Sequence, residues 1–521
     1  MRCSPFDPPA VASRDQLATA PEIAEPSPWI LVATILGSGM VFVDGTVVNV
    51  ALPALQRDLG ATVADVQWVV EAYAVLLAAL LLVGGALGDR FGRRRLFACG
   101  VAAFALASAG CGRAPAIGWL IAWRAIQGAA AALLVPGSLA ILAAAYPPRR
   151  RGRAIGTWSG ATGITAAIGP LLGGWLIDHA SWRWVFFLNL PLAAAVLLAT
   201  WWRVPESRDP QSVPGLDWAG AALATLGLAG VTFGLIELPR LGAGHPAVAA
   251  ALAGGGLALA GFMAVEARGR HPMMPLSLFR SRVFAGANLL TLFLYAGLGG
   301  ALFFLPFNLI QVQHYSATAA GAALLPLILI MFLLSRWAGG FAERRGARLP
   351  LTIGPAIAAV GFALFALPGQ GGSYWTTYFP AVVVLGLGMV TSVAPLTTTV
   401  MGAVEVRHAG LASGINNAVS RVAGLLAVAT LGIVVAAAFG RGLDRRLQRL
   451  DLPAASRRAL AAEAAKMTAA APPPGLTADQ AARVQQALAA SFLDGFRLAM
   501  LSAAALALAA AASGRLTLGR E

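Results

Sequence analysis

An acid placed where apolar sequence should exclude it is the first sign of chemistry. Asp44 lies in the run from Trp29 to Ala51, which is otherwise apolar but for Asn49 and small hydroxyl residues. That run is long enough, at ~1.5 Å per residue, to cross a ~30 Å hydrocarbon core. A carboxylate there costs about 2.5–3.5 kcal/mol on insertion scales. It therefore serves either as hydrogen-bonding glue between helices or as a group that carries a proton or a cation. Arg124 stands about seven residues below the outer end of a later apolar run, ~10 Å deep. Asp44 is ~22 Å from the inner end of its own run, about 8 to 10 Å below the same outer boundary. At matched depth a guanidinium favours the anionic carboxylate while desolvation favours the protonated one, and that opposition lets an acid load and release a proton. Glu71 lies slightly nearer the outside, either at headgroup level or in the same cavity. Asp44, Arg124 and Glu71 are the candidate proton-coupling residues.

The elements that must hold these groups are long apolar helices. The chain has 521 residues, 58% of them hydrophobic and 12% charged, against about 25% charged in soluble domains. Apolar runs fall at about 29–52, 67–88, 96–112, 117–145, 154–177, 184–202, 217–237, 247–265, 284–311, 319–341, 350–367, 376–401, 409–438 and 491–513. This predicts an all-α polytopic membrane protein of fourteen transmembrane helices. The formal charge of +15 could suggest nucleic acid, but the arginines cluster between the runs and Lys466 is the single lysine. One set of alternate loops carries Arg90, Arg93 to Arg95, Arg149 to Arg151, Arg153, Arg203, Arg208, Arg268, Arg270, Arg280, Arg282, Arg344, Arg345, Arg348 and Arg407, whereas the other, counted over its short loops, carries Arg57, Arg113, Arg183 and Arg240. The richer set should be cytoplasmic, and with it both termini. Residues 1–28 are Pro-rich and read as a disordered cytoplasmic tail, and 514–521 as a second tail. Residues 441–490 are expected as a long extracytoplasmic loop of two amphipathic helices split by Pro472 to Pro474, the second opening on the capping-box pattern Thr477 to Gln480. A membrane-surface lid and a solvated connector both fit it, the connector being simpler.

An internal repeat organises the runs. Gly85-Ala86-Leu87-Gly88-Asp89-Arg90-Phe91-Gly92-Arg93-Arg94 aligns with Gly339-Gly340-Phe341-Ala342-Glu343-Arg344-Arg345-Gly346-Ala347-Arg348, with acid, Arg and Gly at the same offsets. The expected organisation is a six-helix bundle at 29–203, two inserted helices at 204–270 and a second six-helix bundle at 271–513. Repeats of this kind accompany alternating access about a midplane site. Gly156 and Gly160, and again Gly169 and Gly173, are four apart in the fifth run and predict close helix packing, while Pro170 predicts a bend. Asn416, Asn417 and Arg421 fall midway along the thirteenth run and should face a cavity or a partner helix, as should Asn49 and Gln127. Phe303, Phe304 and Phe307 could line a substrate cavity or simply pack.

Taken in order, the Asp44 to Pro53 stretch, the Gly85 to Arg95 loop, Arg124 with Gln127-Gly128, Gly163 to Gly174, and Trp182 to Pro191 resemble the fourteen-helix drug:proton antiporter branch of the major facilitator superfamily. The resemblance covers residues 29–513. It implies the major facilitator fold and a conformational switch formed by Gly85, Asp89, Arg90, Gly92 and Arg93. In that switch Asp89 would face the start of the thirteenth helix, around Arg407 to Ser413, where a helix dipole would attract it. The resemblance also implies that Gly163, Gly169, Pro170, Gly173 and Gly174 form the helix-five motif of exporters, which favours export over uptake.

Absences narrow the reading further. No Walker A motif is present, so ATP drives nothing in this chain. His179, His245, His271, His314 and His408 lack ligand spacing, and no metal site or nucleophilic triad is suggested. An enzyme acting on lipid-linked substrates would need acids or histidines clustered at one membrane face, and a receptor would need a sensor domain. The expected function is a proton-coupled efflux antiporter for amphiphilic small molecules such as antibiotics, in the inner membrane of a bacterium. A proton symporter, or an exporter of an endogenous metabolite, is the alternative. The expected partners are substrate, protons and membrane lipids, with no nucleic acid and no cofactor beyond the proton gradient, in a monomer.

Overall fold

The computed structural model describes residues 27–208, 217–269, 272–405, 409–450 and 452–518. The tail expected at 1–28 therefore lies outside the described residues except for Ser27 and Pro28. Among the described residues every regular element is helical: α1 (Pro28–Asp58), α2 (Val63–Phe91), α3 (Arg93–Gly112), α4 (Ile117–Ala145), α5 (Pro148–His179), α6 (Trp184–Phe187), α7 (Asn189–Arg203), α8 (Trp218–Leu241), α9 (Pro246–Arg268), α10 (Arg282–Phe307), α11 (Ala317–Ala322), α12 (Leu325–Arg345), α13 (Pro350–Phe365), α14 (Tyr374–Gly402), α15 (Ala409–Leu447), α16 (Ala454–Glu463) and α17 (Ala478–Thr517). Thirteen spans are long and apolar enough to cross a membrane, and the shorter apolar helix α13 makes fourteen. The chain is a multi-pass, all-helical membrane protein.

Prolines shape the helices at two junctions. The sixth span breaks between α6 and α7 because Pro191 has no N–H to offer the carbonyl of Phe187, and the break sets Asn189 at a helix start. The tenth span is likewise divided between α11 and α12 just before Pro326. Caps fix other ends. Thr62 and Asp65 exchange hydrogen bonds at the start of α2, and Thr477 and Gln480 do the same at the start of α17.

Helix pairings recur at corresponding positions in the two halves. In the first, α1 packs on α5 and α7, α2 on α4, and α3 on α4; in the second, α10 packs on α15 and α17, α12 on α14, and α13 on α14. Helices α8 and α9 pair with each other, and α8 alone of the two packs on both α2 of the first bundle and α15 of the second. Close packing is built by small residues: a Cβ on Gly84 or Gly128 would run into the carbonyls of Ala132 and Tyr73, so larger residues would separate α2 from α4.

The helices do not stop at the expected segment bounds. Within 441–490, α15 continues to Leu447 and α17 already begins at Ala478. The second amphipathic segment opens on the expected Thr477 cap and, with no Pro to stop it, runs on as the first part of α17, where Val484, Ala487 and Leu488 are buried. Between α15 and α17, Leu452, Leu460, Met467 and Ala470 are buried, while Arg457, Arg458 and Ala459 of α16 are exposed. At the other end α17 runs to Thr517, past the expected start of the final tail at 514.

Candidate functional site

Four helices converge on Asp44. It is fully buried on α1, and Arg124 on α4 is 1% exposed. The Arg124 Nη1 lies 2.5 Å from Asp44 Oδ2. The same guanidinium donates from Nε to the Val69 carbonyl of α2 at 3.0 Å and from Nη1 to Gln127 Oε1 at 2.8 Å. Its face lies 4.2 Å from the Tyr73 ring centroid, a cation–π contact strengthened by the dry surroundings. The second carboxylate oxygen of Asp44 accepts from Gln127 Nε2 at 2.9 Å and from Asn189 Nδ2 at 3.2 Å. Both amides also donate to Ser108 Oγ of α3, which passes its own proton to the Phe186 carbonyl.

Every contact on the Asp44 carboxylate is a donor, and all three donors, Arg124, Gln127 and Asn189, are held by further bonds. Two site residues were expected elsewhere. Gln127 does not line a cavity; it is fully buried and ties Arg124 to Asp44, because it lies three residues after Arg124 on the same helix face. Glu71 does not join the cluster. Val69 and Tyr73 turn one face of α2 toward α4, and Glu71, two residues from each, lies on the opposite face.

Asn189, Ser108 and Tyr73 complete the cluster without having been singled out as site residues. An Asn within an apolar run was a usable signal for Asn189, whereas Ser108 and Tyr73 carried none.

The other candidates are distributed as follows. On α5, Gly169 and Gly173 lie tight against Thr46 and Val47 of α1, and a Cβ on Gly174 would strike the Ala317 carbonyl of α11. Gly321 of α11 meets the Pro170 carbonyl in the same way. By contrast Gly156, Gly160 and Gly163 face open space, which corrects the expectation of close packing along the whole run. The reason is that α5 packs on α11 much more extensively than on α12, so the seam between the bundles is closed at one end and splayed at the other. At the closed end Asp178 accepts from Ala317 N at 3.1 Å, Thr318 N at 2.8 Å and Thr318 Oγ1 at 2.6 Å. There too Gln67 donates to the Val428 carbonyl of α15 at 3.0 Å, and Gln311 donates to Gln56 at 3.0 Å.

In the α2–α3 loop, Gly92 takes φ 113°, the one residue between two helices and in a conformation that glycine adopts without strain. Asp89 pairs with Arg93 at 2.7 Å, and Arg90 lies over the Phe91 ring. Gly85 is half-buried near Pro136. Asp89 was expected near Arg407 to Ser413; of that stretch residues 407 and 408 lie outside the described residues, as does the side chain of Glu343. A residue not foreseen, Glu206, accepts from Arg94 N at 3.1 Å and Arg95 N at 3.2 Å and so caps α3.

Of the remaining candidates, Asn416 bonds Asn288 and Thr291 of α10 at 3.1 and 2.7 Å and so serves packing within the second bundle rather than a cavity wall. Asn417 is exposed, and Arg421 and Asn49 are partly so. Phe303, Phe304 and Phe307 are buried core residues, Phe303 meeting Phe304 edge to face and Phe307 at a tilt, not cavity lining.

Residues 34–428 match the family model described as Major Facilitator Superfamily. The chain is similar to the tetracenomycin C resistance and export protein of Streptomyces glaucescens, at 36% identity over 490 residues, 93% of this chain and 90% of that one. It is similar also to the drug efflux pump JefA of Mycobacterium tuberculosis, at 32% identity over 488 residues, 91% of this chain and 95% of the other. Among solved structures it resembles a bacterial homologue of the human lysosomal transporter Spinster in an inward-facing, occupied conformation, with a TM-score of 0.67. That match covers 94% of this chain and 96% of the other at 17% identity, which shows the fold alone.

Proposed function

The chain belongs to the Major Facilitator Superfamily, and we propose that it is an efflux antiporter exchanging amphiphilic small molecules, antibiotics among them, for protons. It is a transporter of small molecules rather than an enzyme, and its curated relatives are antibiotic and multidrug resistance proteins. The splayed end of the seam carries the arginine-rich loops, so by the positive-inside rule that end, with both termini, is cytoplasmic, and the membrane is the inner membrane of a bacterium. The protein works as a monomer with no cofactor; the proton gradient supplies the energy.

One observation carries the coupling mechanism: the buried Asp44–Arg124 pair, with Gln127 and Asn189 on the free oxygen of the acid. With Asp44 ionised, five helices of the first bundle, α1, α2, α3, α4 and α7, are tied at one point. Protonation removes the charge that holds Arg124, leaving a guanidinium with only the Val69 carbonyl, Gln127 and the Tyr73 ring. An unpaired buried cation is costly, so it draws in water, and the bundle is biased toward another packing. Substrate entering from the splayed end favours release of the proton in the reverse sense.

Two measurements test this reading. A growth-inhibition panel in a pump-deleted host expressing the chain should show raised tolerance to amphiphilic antibiotics. Purified protein in weak buffer should then release protons when a compound found by that panel is added. Tolerance without proton release would remove the coupling, and no change in tolerance to any compound would remove the efflux reading itself.

A further inference from the structure

Glu71 is fully buried, and neither of its carboxyl oxygens has a hydrogen-bond partner among the described residues. Thr232 of α8 is equally buried, with its hydroxyl likewise unpartnered. Unpaired buried polar atoms are uncommon, and two on facing helices call for an explanation.

The helix registers bring them to one level. Trp68 of α2 meets Phe233 of α8 with ring centroids 6.1 Å apart. Further along, Val75, Ala78 and Ala79 of α2 form a buried cluster with Leu228 of α8 and Leu425 of α15. The two helices are antiparallel, so Glu71 and Thr232 fall opposite each other between those contacts. Both also point into the seam. On α8 the face carrying Gly227, Gly230 and Gly234 is taken up by α9, and Thr232, two residues from Gly230 and Gly234, lies on the other side. On α2, Glu71 is one turn from Gln67, which bonds Val428 of α15, and one turn from Val75.

We propose that Glu71 and Thr232 form a second proton-binding site, walled by α2, α8 and α15 and separate from Asp44, through which the inserted helix pair senses the relative position of the two bundles. The ligand is a proton, held as a neutral carboxylic acid. An ionised carboxylate there would be unpaired. Asp65 is engaged in the cap of α2, Glu237 of α8 is paired with Arg240 at 2.7 Å, and Arg124 of α4 is held by Asp44. Arg421 of α15 stands a further turn away, beyond Leu425. Burying a carboxylate without a partner costs far more than protonating it. The protonated acid offers one donor and Thr232 offers one donor and two lone pairs, so a single bridging water satisfies both groups. Helix α8 touches both bundles at this seam. When the bundles rock it cannot keep both contacts, the seam admits water, and the acid releases its proton. This inference concerns a proton distinct from that assigned to Asp44 and does not depend on Asp44 coupling.

Infrared absorption of the purified full-length protein at neutral pH tests it. The wild type should show the carbonyl band of a protonated carboxylic acid, shifted in heavy water. Glu71→Gln should lose that band, Asp44→Asn should keep it, and Thr232→Val should move it to higher frequency because its hydrogen bond is gone. A wild type without the band, or a Glu71→Gln protein that retains it in full, overturns the proposal. Should Glu71→Gln not be recovered folded, Thr232→Val decides alone, and an unshifted band refutes the site.

Discussion

Replacing Asp44 by Asn changes one atom's hydrogen-bonding sense and nothing of the side chain's size. Asp44 accepts from Arg124, Gln127 and Asn189; an amide can accept on one side only. If its oxygen faces Arg124, its NH2 faces the donating amides of Gln127 and Asn189, and the opposite orientation sets it against the guanidinium. Removing one partner of a buried ion pair costs about 3–5 kcal/mol, and the hydrogen bond that survives offsets about 1 kcal/mol. The net is about 2–4 kcal/mol against the assembled cluster. With each 1.4 kcal/mol worth a factor of ten, states that keep the cluster closed lose roughly 30- to 700-fold relative to states that hydrate Arg124. Substrate-driven proton release from purified Asp44→Asn should fall to no more than the separate proton of Glu71, while size-exclusion chromatography still shows folded protein. Undiminished release would mean that the coupling proton sits elsewhere and that the reasoning from matched depth is wrong.

Three further outcomes follow from the seam and the α2–α3 loop. Gly321→Val places branched carbons against the Pro170 carbonyl, so the closed end should no longer seal. Transport should be lost, and a cysteine placed at Ala54 should label at least about tenfold faster, as expected for a shift of roughly 1.4 kcal/mol; unchanged labelling contradicts the account. Asp178→Ala removes the acceptor of three hydrogen bonds across the same end. At about 1 kcal/mol each in an exposed setting, their loss should speed labelling in the same direction without wedging the helices, and transport should persist. Glu206→Ala uncaps α3 at a cost of about 1 kcal/mol. It should lower the melting temperature by a few degrees with proton release intact, and an unchanged melting temperature would show that the cap contributes nothing.

How much of this was legible in the residues depends on whether a feature is local. Asp44 and Arg124 could be matched because each is a charge in an apolar run, and depth along a helix is a count of residues. The breaks at Pro191 and Pro326 follow the same local logic. What could not be read is which way a helix is rotated about its axis. Glu71 and Tyr73 are two residues apart, yet one lies at the seam with the inserted pair and the other beneath Arg124. Asn416 looked like cavity lining and turned out to bond α10. The reach of the loop before α17 was misjudged for a related reason. Its composition is alanine-rich and weakly apolar, and only packing against the helices distinguishes a continuing helix from a solvated one.

The ion-pair cluster and the closed end of the seam are built on one continuous stack of contacts, and under the proposed coupling that stack gives protonation of Asp44 a mechanical consequence. Asp44 is anchored to α4 through Arg124 and to α7 through Asn189. Two and three residues further along α1, Thr46 and Val47 occupy the notches of Gly169 and Gly173 on α5. On the next face of α5, Pro170 and Gly174 lie against Gly321 and Ala317 of the second bundle, and one turn on Asp178 holds the start of α11. Because interiors are packed to near-crystalline density, α1 cannot shift at Asp44 without either moving α5 with it or opening a void at the glycine notches. Glycine at these positions removes the side-chain cushion that would absorb such a shift. A change of charge on Asp44 thus reaches the contact between the bundles in two helix-to-helix steps, α1 to α5 and α5 to α11, which is the least that a proton buried inside one bundle requires to act on the other.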